Sequence, residues 1–228
     1  MTVTSSTLFR AAAGAAVLAG LIFIGVQINH PYLDATSITT TDVMTRSSLK
    51  MLMAALSLVG ITGIYLRQVT KVGVLGLLGY VLFAAGYLSI FGTEFVAALV
   101  LPSIADTANA YTNNVIAFAN NRPATGDIGL MHTAILFTGV TYLAGGFVFA
   151  IALFRANVLA RWAAVLLAIG TLATIAVGLV PQYERLFAIP TGLALVALGY
   201  SLWRVQSAAV ATPVLNPGSS KLDVAGAK

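Results

Sequence analysis

The chain contains no cysteine and few charged residues. None of its 228 residues is cysteine, so disulfides, iron–sulfur clusters, thiolate zinc sites, covalent c-type haem and a cysteine nucleophile are all excluded. Only 8% of the residues are charged, whereas a water-soluble domain carries about a quarter. With 59% hydrophobic residues, the composition excludes an ordinary water-soluble fold.

Long apolar stretches make up most of the sequence. A helix needs roughly twenty apolar residues to cross a hydrocarbon core of about 30 Å, and several stretches approach that length. The first follows Arg10 and ends without a small-residue cleavage pattern, so we expect it to be retained as a helix. We predict an all-α, polytopic membrane bundle whose six transmembrane helices cover residues 11–28, 51–66, 72–92, 135–154, 162–180 and 186–203.

The basic residues are divided unevenly between the two ends of these helices. The end that carries the chain termini has eight of them, Arg10, Arg67, Lys71, Arg155, Arg161, Arg204, Lys221 and Lys228. The opposite end, called the rim below, has four, Arg46, Lys50, Arg122 and Arg185. Because Lys and Arg accumulate on cytoplasmic loops, the sequence predicts that both termini are cytoplasmic. The basic residues occur singly, so no nucleic-acid partner is predicted.

Two segments outside the predicted spans have distinct patterns. Residues 103–119 place apolar residues at helical spacing opposite polar ones, and Ser103 with Asp106 forms a helix-start signal. We predict an amphipathic helix over 103–119 on the outer membrane surface or over the mouth of the bundle. The tail over 205–228 is rich in proline, glycine and serine near its middle and is predicted to be a disordered cytoplasmic extension.

Small residues recur within the predicted spans. In lipid, helices associate closely where glycine and alanine let their backbones approach. We therefore predict helix contacts at Ala12, Ala16, Gly20, Gly60, Gly63, Gly79, Gly86, Gly139 and Gly146.

Both histidines of the chain fall at the rim. At about 1.5 Å per residue, His30, Glu94, His132 and Glu184 lie near one level. Two imidazoles with carboxylates suit zinc or another divalent metal that activates water, and Asp34 and Asp127 are further candidate ligands. A haem held by His30 and His132 is a second reading. The third is that both histidines are helix-end residues at the interface, since no H-x-x-x-H or H-E-x-x-H motif occurs.

Tyr80, Tyr87 and Glu94 recur every seven residues in the third span. That spacing places them along one slightly drifting face of the helix, from mid-membrane to the rim. The stripe could line a polar crevice. Alternatively, the two tyrosines bond to neighbouring carbonyls while Glu94 marks the interface.

Two runs near the ends of spans resemble those of a known type of membrane protein. Leu159-Ala160-Arg161-Trp162-Ala163-Ala164 opens the fifth span and Leu198-Gly199-Tyr200-Ser201-Leu202-Trp203-Arg204 closes the sixth. With the short hairpins, they are similar to uncharacterised six-helix membrane proteins of high-GC Gram-positive bacteria. The resemblance implies a bacterial plasma membrane and supplies no activity or site residue.

Three functions are consistent with these patterns. No ionisable residue is expected at mid-membrane depth, where proton relays and coupled carriers need one, and no catalytic motif occurs. The leading prediction is a non-enzymatic accessory, sensory or lipid-binding bundle, whose partners are the lipid bilayer, a lipid or hydrophobic ligand, or another membrane protein. The alternatives are a membrane-embedded metal- or haem-dependent enzyme with its site at the rim, and an uncoupled permease for small apolar molecules. The sequence leaves the cofactor unknown.

Overall fold

The fold is known from a computed structural model, which describes residues 4–176, 186 and 188–211. Within these residues the regular structure is helical throughout. The helices are α1 (Ser5–Gly25), α2 (Thr41–Arg67), α3 (Val69–Ile104), α4 (Asn109–Ala119), α5 (Leu130–Ala156), α6 (Arg161–Ala176) and α7 (Ala188–Ala211), with a 3-10 turn over Ser37–Thr39. The last part of α3 passes through a wide π-helical turn, Val96–Val100, before its final α-helical turn.

Five of the described helices are long and apolar enough to cross a membrane: α1, α2, α3, α5 and α7. The prediction of an all-α bundle with membrane-spanning helices is therefore confirmed for this part of the chain. The fifth predicted span corresponds to α6, of which 16 residues are described. Residues 177–185 and 212–228 lie outside the described residues, and with them Glu184 and most of the predicted tail.

The six long helices form a ring in chain order around a shared core. Each of α1, α2, α3, α5, α6 and α7 packs against the next, and α7 packs against α1 to close the ring. Arg10 near the start of α1 lies over the Trp203 ring near the end of α7, at 5.7 Å from the ring centroid. Both helices therefore have their terminal sides at one end of the bundle, opposite the rim.

The tightest packing joins α3 to α5 through glycines. A Cβ atom added to Gly86 would lie 2.8 Å from the backbone nitrogen of Tyr142, and one added to Gly145 would overlap the backbone of Phe83. The prediction that small residues bring helices together is confirmed here, as it is for Gly79, whose added Cβ would overlap Phe149. It is wrong for Gly139, where an added Cβ would meet nothing within 4 Å.

Helix α2 begins at Thr41, ten residues before the predicted span, which starts at residue 51. The hydroxyl of Thr40 accepts a hydrogen bond from the backbone N–H of Val43, which caps the helix, and Asp42 lies in its first turn. From this extension Arg46 forms an ion pair with Asp42 and donates to the carbonyl oxygens of Val26 and Ile28. The connection predicted over 30–50 is therefore short and is tied to the end of α1.

A second, smaller core lies at the rim. The segments 26–40 and 105–129, together called the cap, cover the rim ends of α2, α3 and α5. Buried apolar residues of the cap, Ile38, Ala105, Val115, Ile116 and Ile128, pack there against Val43 of α2 and Leu101 of α3. Helix α4 packs its apolar face into this core, which agrees with a position over the mouth of the bundle. Its start differs from the prediction, because Ser103 still belongs to α3 and donates to the carbonyl of Val100, so that the amphipathic helix begins at Asn109.

Candidate functional site

The cap and the bundle enclose a chamber of about 1030 Å³. Its walls come from the rim ends of α2, α3 and α5, from α4, from both cap segments, and from Thr174 of α6. The π-helical turn of α3 contributes Val96 and Ala97 to the lining. The chamber therefore depends on the helical extensions of α2 and α3 beyond the predicted spans.

One wall of the chamber carries an ion pair between two helices. The Nζ atom of Lys50 on α2 lies 3.2 Å from Oε1 of Glu94 on α3, and the two side chains are only 17% and 18% exposed. Ser47, which is buried, and Thr93 extend this wall as polar neighbours. The pair is thus a partly shielded charged patch at the edge of the membrane-spanning region, where electrostatic interactions are screened less than at a free surface.

The cap segments are held over the chamber by Arg122. Its guanidinium donates to the carbonyl oxygen of Leu33 at 2.6 Å and to the hydroxyl of Tyr32, and it lies 4.4 Å from the centroid of the Tyr32 ring. These contacts join the segment before α2 to the segment after α4. Arg122 is therefore largely engaged in holding the cap together.

Two asparagines of α4 fix the loops on either side of it. Oδ1 of Asn113 accepts a hydrogen bond from the backbone N–H of Ala35 at 2.8 Å, and Oδ1 of Asn114 accepts one from Thr125 N–H at 2.8 Å. In the loop that contains Ala35, the backbone N–H of Ser37 donates a hydrogen bond to Oδ1 of Asp34 at 2.7 Å. This bond lowers the pKa of the Asp34 carboxyl. Asp34, a candidate metal ligand from the sequence, is thus the hydrogen-bond acceptor of its own turn.

A second wall of the chamber is apolar. Leu136, Gly139, Val140 and Leu143 of α5 line it. Leu136 is 50% exposed and Val140 is 65% exposed, although both line the chamber. On a membrane-spanning helix, we expect exposed apolar residues such as these to meet acyl chains.

The two histidines occupy different surroundings. His132 lines the chamber and stacks on Phe118, with ring centroids 4.4 Å apart. Nδ1 of His30 lies 3.0 Å from the carbonyl oxygen of Pro31, and His30 is outside the chamber lining. Asp127 lines the chamber and accepts from the backbone N–H of Gly129. Across the described residues, no three histidine, cysteine, aspartate or glutamate side chains are grouped so that they could hold a metal ion.

The three residues of the predicted stripe on α3 lie in three different environments. The Tyr80 ring stacks on Tyr65 at 4.5 Å, and its hydroxyl lies 3.0 Å from Oγ1 of Thr62. Tyr87 is fully buried in the bundle core, and only Glu94 reaches the chamber. The three residues therefore do not line one continuous crevice. Neither tyrosine bonds a neighbouring carbonyl, since the hydroxyl of Tyr80 meets Thr62 and that of Tyr87 has no hydrogen bond within the described residues.

Four buried hydroxyl groups meet in the bundle core below the chamber. Ser57, Tyr87, Tyr142 and Thr191 come from four helices, and within the described structure none of their oxygens forms a hydrogen bond. The hydroxyl of Tyr87 lies near those of Ser57 and Tyr142, and the hydroxyl of Tyr142 lies near that of Thr191. Rings fill the space around them, with Phe83 4.8 Å from Tyr87 between centroids. The bundle core below the chamber is therefore filled by these side chains and the rings around them.

The sequence reasoning identified Glu94 and His132 at the rim but missed Lys50 as the partner of Glu94. The spacing along the chain did not pair them, because Lys50 lies 17 residues before the end of α2 at Arg67 whereas Glu94 lies 25 residues after the start of α3 at Val69. Arg122 was counted only as a topology signal, since its contact with Leu33 joins segments far apart in sequence. No protein-family model, no curated protein and no solved structure matches this chain.

Proposed function

We propose that this chain is a non-enzymatic membrane protein that binds a membrane amphiphile in the chamber beneath the cap. The observation that carries the proposal is the change in the chamber lining, from the Lys50–Glu94 ion pair on one wall to the apolar face of α5 on the other. An amphiphile has the same two parts, a charged head group and an apolar chain. The ion pair can contact the head group and the apolar wall can contact the chain, and both line one chamber.

The size and position of the chamber support binding. Ligand pockets commonly have volumes of about 300 to 1,000 Å³, and this chamber, at about 1030 Å³, is at the upper end of that range. The half-exposed residues Leu136 and Val140 give an acyl chain a route from the bilayer. Below the chamber, the rings of Phe83, Tyr87 and Tyr142 fill the core, which favours a binding site over a passage through the bundle.

The test is native mass spectrometry of the full chain purified in mild detergent, with a variant that fills the chamber. Gly139→Phe places a ring in the chamber, where the glycine has open space, and Gly92→Phe is the matched control, because Gly92 is also exposed on a helix with open space but is outside the lining. We expect a bound lipid on the natural chain and on Gly92→Phe, and at least a roughly tenfold lower occupancy on Gly139→Phe, a loss of about 1.4 kcal/mol.

Two outcomes would contradict the proposal. One is a natural chain that carries no lipid in mild detergent. The other is equal loss of lipid in Gly139→Phe and Gly92→Phe, since only Gly139 lines the chamber.

We further propose a bacterial plasma membrane location in which both termini are cytoplasmic and the cap faces outward. The excess of basic residues at the terminal end supports this orientation. The chamber would then take its ligand from the outer leaflet.

A further inference from the structure

We propose that the head group bound in the chamber is zwitterionic and carries a primary ammonium, as phosphatidylethanolamine does. Its anionic group would meet Lys50 and its ammonium would meet Glu94. This inference rests on the proposed function, because it names the class of ligand for the same chamber.

The first argument is the balance of charge in the lining. Two cationic residues, Lys50 and Arg122, and two anionic residues, Glu94 and Asp127, line the chamber. Among the described lining residues these formal charges cancel, so this lining as a whole attracts neither anions nor cations. An anionic head group beside Lys50 would also lie beside the carboxylate of Glu94, which would repel it. A head group that carries both charges can align with the pair and is attracted at each end.

The second argument is the capacity that the pair has left for further hydrogen bonds. A lysine ammonium has three N–H donors and a carboxylate has two acceptor oxygens. In the described structure the only polar contact of Nζ of Lys50 is with Oε1 of Glu94, and Oε2 of Glu94 has no hydrogen bond. By contrast, Arg122 is engaged with Tyr32 and Leu33. The unused donors and acceptor of the pair are those that a ligand can meet.

The third argument concerns the type of ammonium. The carboxylate of Glu94 can only accept hydrogen bonds, so its partner must supply an N–H donor. A primary ammonium has such donors, whereas the quaternary ammonium of phosphatidylcholine has none. A charge-assisted hydrogen bond is stronger than a neutral one, so the chamber should distinguish these two zwitterions.

The experiment is a competition on the full chain. The protein is exchanged into an equimolar mixture of phosphatidylethanolamine, phosphatidylglycerol and phosphatidylcholine with identical acyl chains, and the retained lipid is identified by native mass spectrometry. We expect phosphatidylethanolamine to be retained over the other two by roughly tenfold, the effect of one charge-assisted hydrogen bond.

A charge variant tests the role of the pair itself. Glu94→Gln removes the partner of the ammonium and leaves Lys50 without its counter-ion, so the preference should move by roughly tenfold toward phosphatidylglycerol. The control is Asp42→Asn, because Asp42 also forms an ion pair, with Arg46, but lies outside the chamber lining. It should leave the preference unchanged.

The outcomes separate the inference from the proposed function. If the natural chain retains phosphatidylglycerol or phosphatidylcholine as well as phosphatidylethanolamine, the inference is overturned while lipid binding stands. If it retains none of the three, the proposed function fails with it. Equal shifts in Glu94→Gln and Asp42→Asn would also overturn the inference. If Glu94→Gln does not fold, the competition on the natural chain decides alone.

Discussion

At the scale of single residues, the hydroxyl groups of the bundle core fall into two kinds. Tyr80 is hydrogen-bonded to Thr62, while Tyr142 is buried without a hydrogen-bond partner in the described structure. A hydrogen bond contributes about 1 kcal/mol to stability, whereas a buried hydroxyl without a partner carries an uncompensated desolvation cost of about 1–3 kcal/mol. Removing the two hydroxyls should therefore have opposite effects.

The prediction compares Tyr142→Phe with Tyr80→Phe. Both variants keep the ring, and Tyr142 keeps its edge-on contact with Tyr87, whose centroid is 5.7 Å away. We expect Tyr80→Phe to lower the free energy of unfolding by about 1 kcal/mol and Tyr142→Phe to leave it unchanged or raise it. Reversible unfolding in mixed micelles measures both. A larger loss for Tyr142→Phe would show that its hydroxyl is bonded to a trapped water or ligand.

The sequence predicted a site residue correctly only where its depth along the membrane normal was enough to place it in the chamber. Glu94 and His132 reach the chamber, as their rim position suggested. His30 contacts Pro31 and lies outside the chamber lining. Its depth alone does not determine whether its side chain points toward the chamber or away from it. The metal and haem readings of the histidines stay predictions, and metal analysis of the purified chain tests them.

At the scale of helices, glycine spacing determines how closely α3 and α5 can approach. Gly145 faces the backbone of Phe83 so closely that no Cβ fits, whereas Gly139, six residues earlier on the same helix, has open space. The same residue type thus has two roles on one helix. Its role follows from the helix face on which it lies, which apolar composition alone does not reveal.

The prediction for α5 is that alanine has opposite effects at these two positions. Gly145→Ala should lower the free energy of unfolding by about 1–3 kcal/mol, because it forces the two backbones apart. Gly139→Ala should raise it by up to about 1 kcal/mol, the helix propensity gained over glycine. Thermal unfolding of both variants in one detergent measures the difference. Equal effects would contradict the close α3–α5 contact.

Helix ends were less predictable than helix centres for a physical reason. The predicted spans follow hydrophobicity, which stops where the hydrocarbon core stops, but helices α2 and α3 continue beyond it into the cap. Local signals for one extension are present, since Thr40 and Asp42 form an N-terminal cap and first turn. For α3, Leu101 is buried in the core at the rim, with Val96 and Ile104 partly buried beside it, and this is a tertiary contact.

At the scale of the whole molecule, the chamber is a product of topology. Its lining comes from α2, α3, α4, α5, α6 and the cap segments. These are far apart in sequence and meet because the helices close into a ring beneath the cap. A bundle of helices was predictable from composition and length. The chamber was not, because no single stretch of sequence contains both its charged wall and its apolar wall.

The orientation of the helix bundle in the membrane determines which leaflet supplies the ligand. This orientation can be measured with introduced cysteines, because the chain has no cysteine of its own. Ala110→Cys places a thiol on the exposed face of α4 in the cap, and Lys71→Cys places one on the exposed corner between α2 and α3 at the terminal end. In intact cells, we expect a membrane-impermeant maleimide to label Ala110→Cys and to label Lys71→Cys only after the cells are opened. The excess of basic residues at the terminal end is the physical reason. The reverse pattern would place the cap in the cytoplasm and the chamber in the inner leaflet, where the lipid competition would have to be interpreted anew.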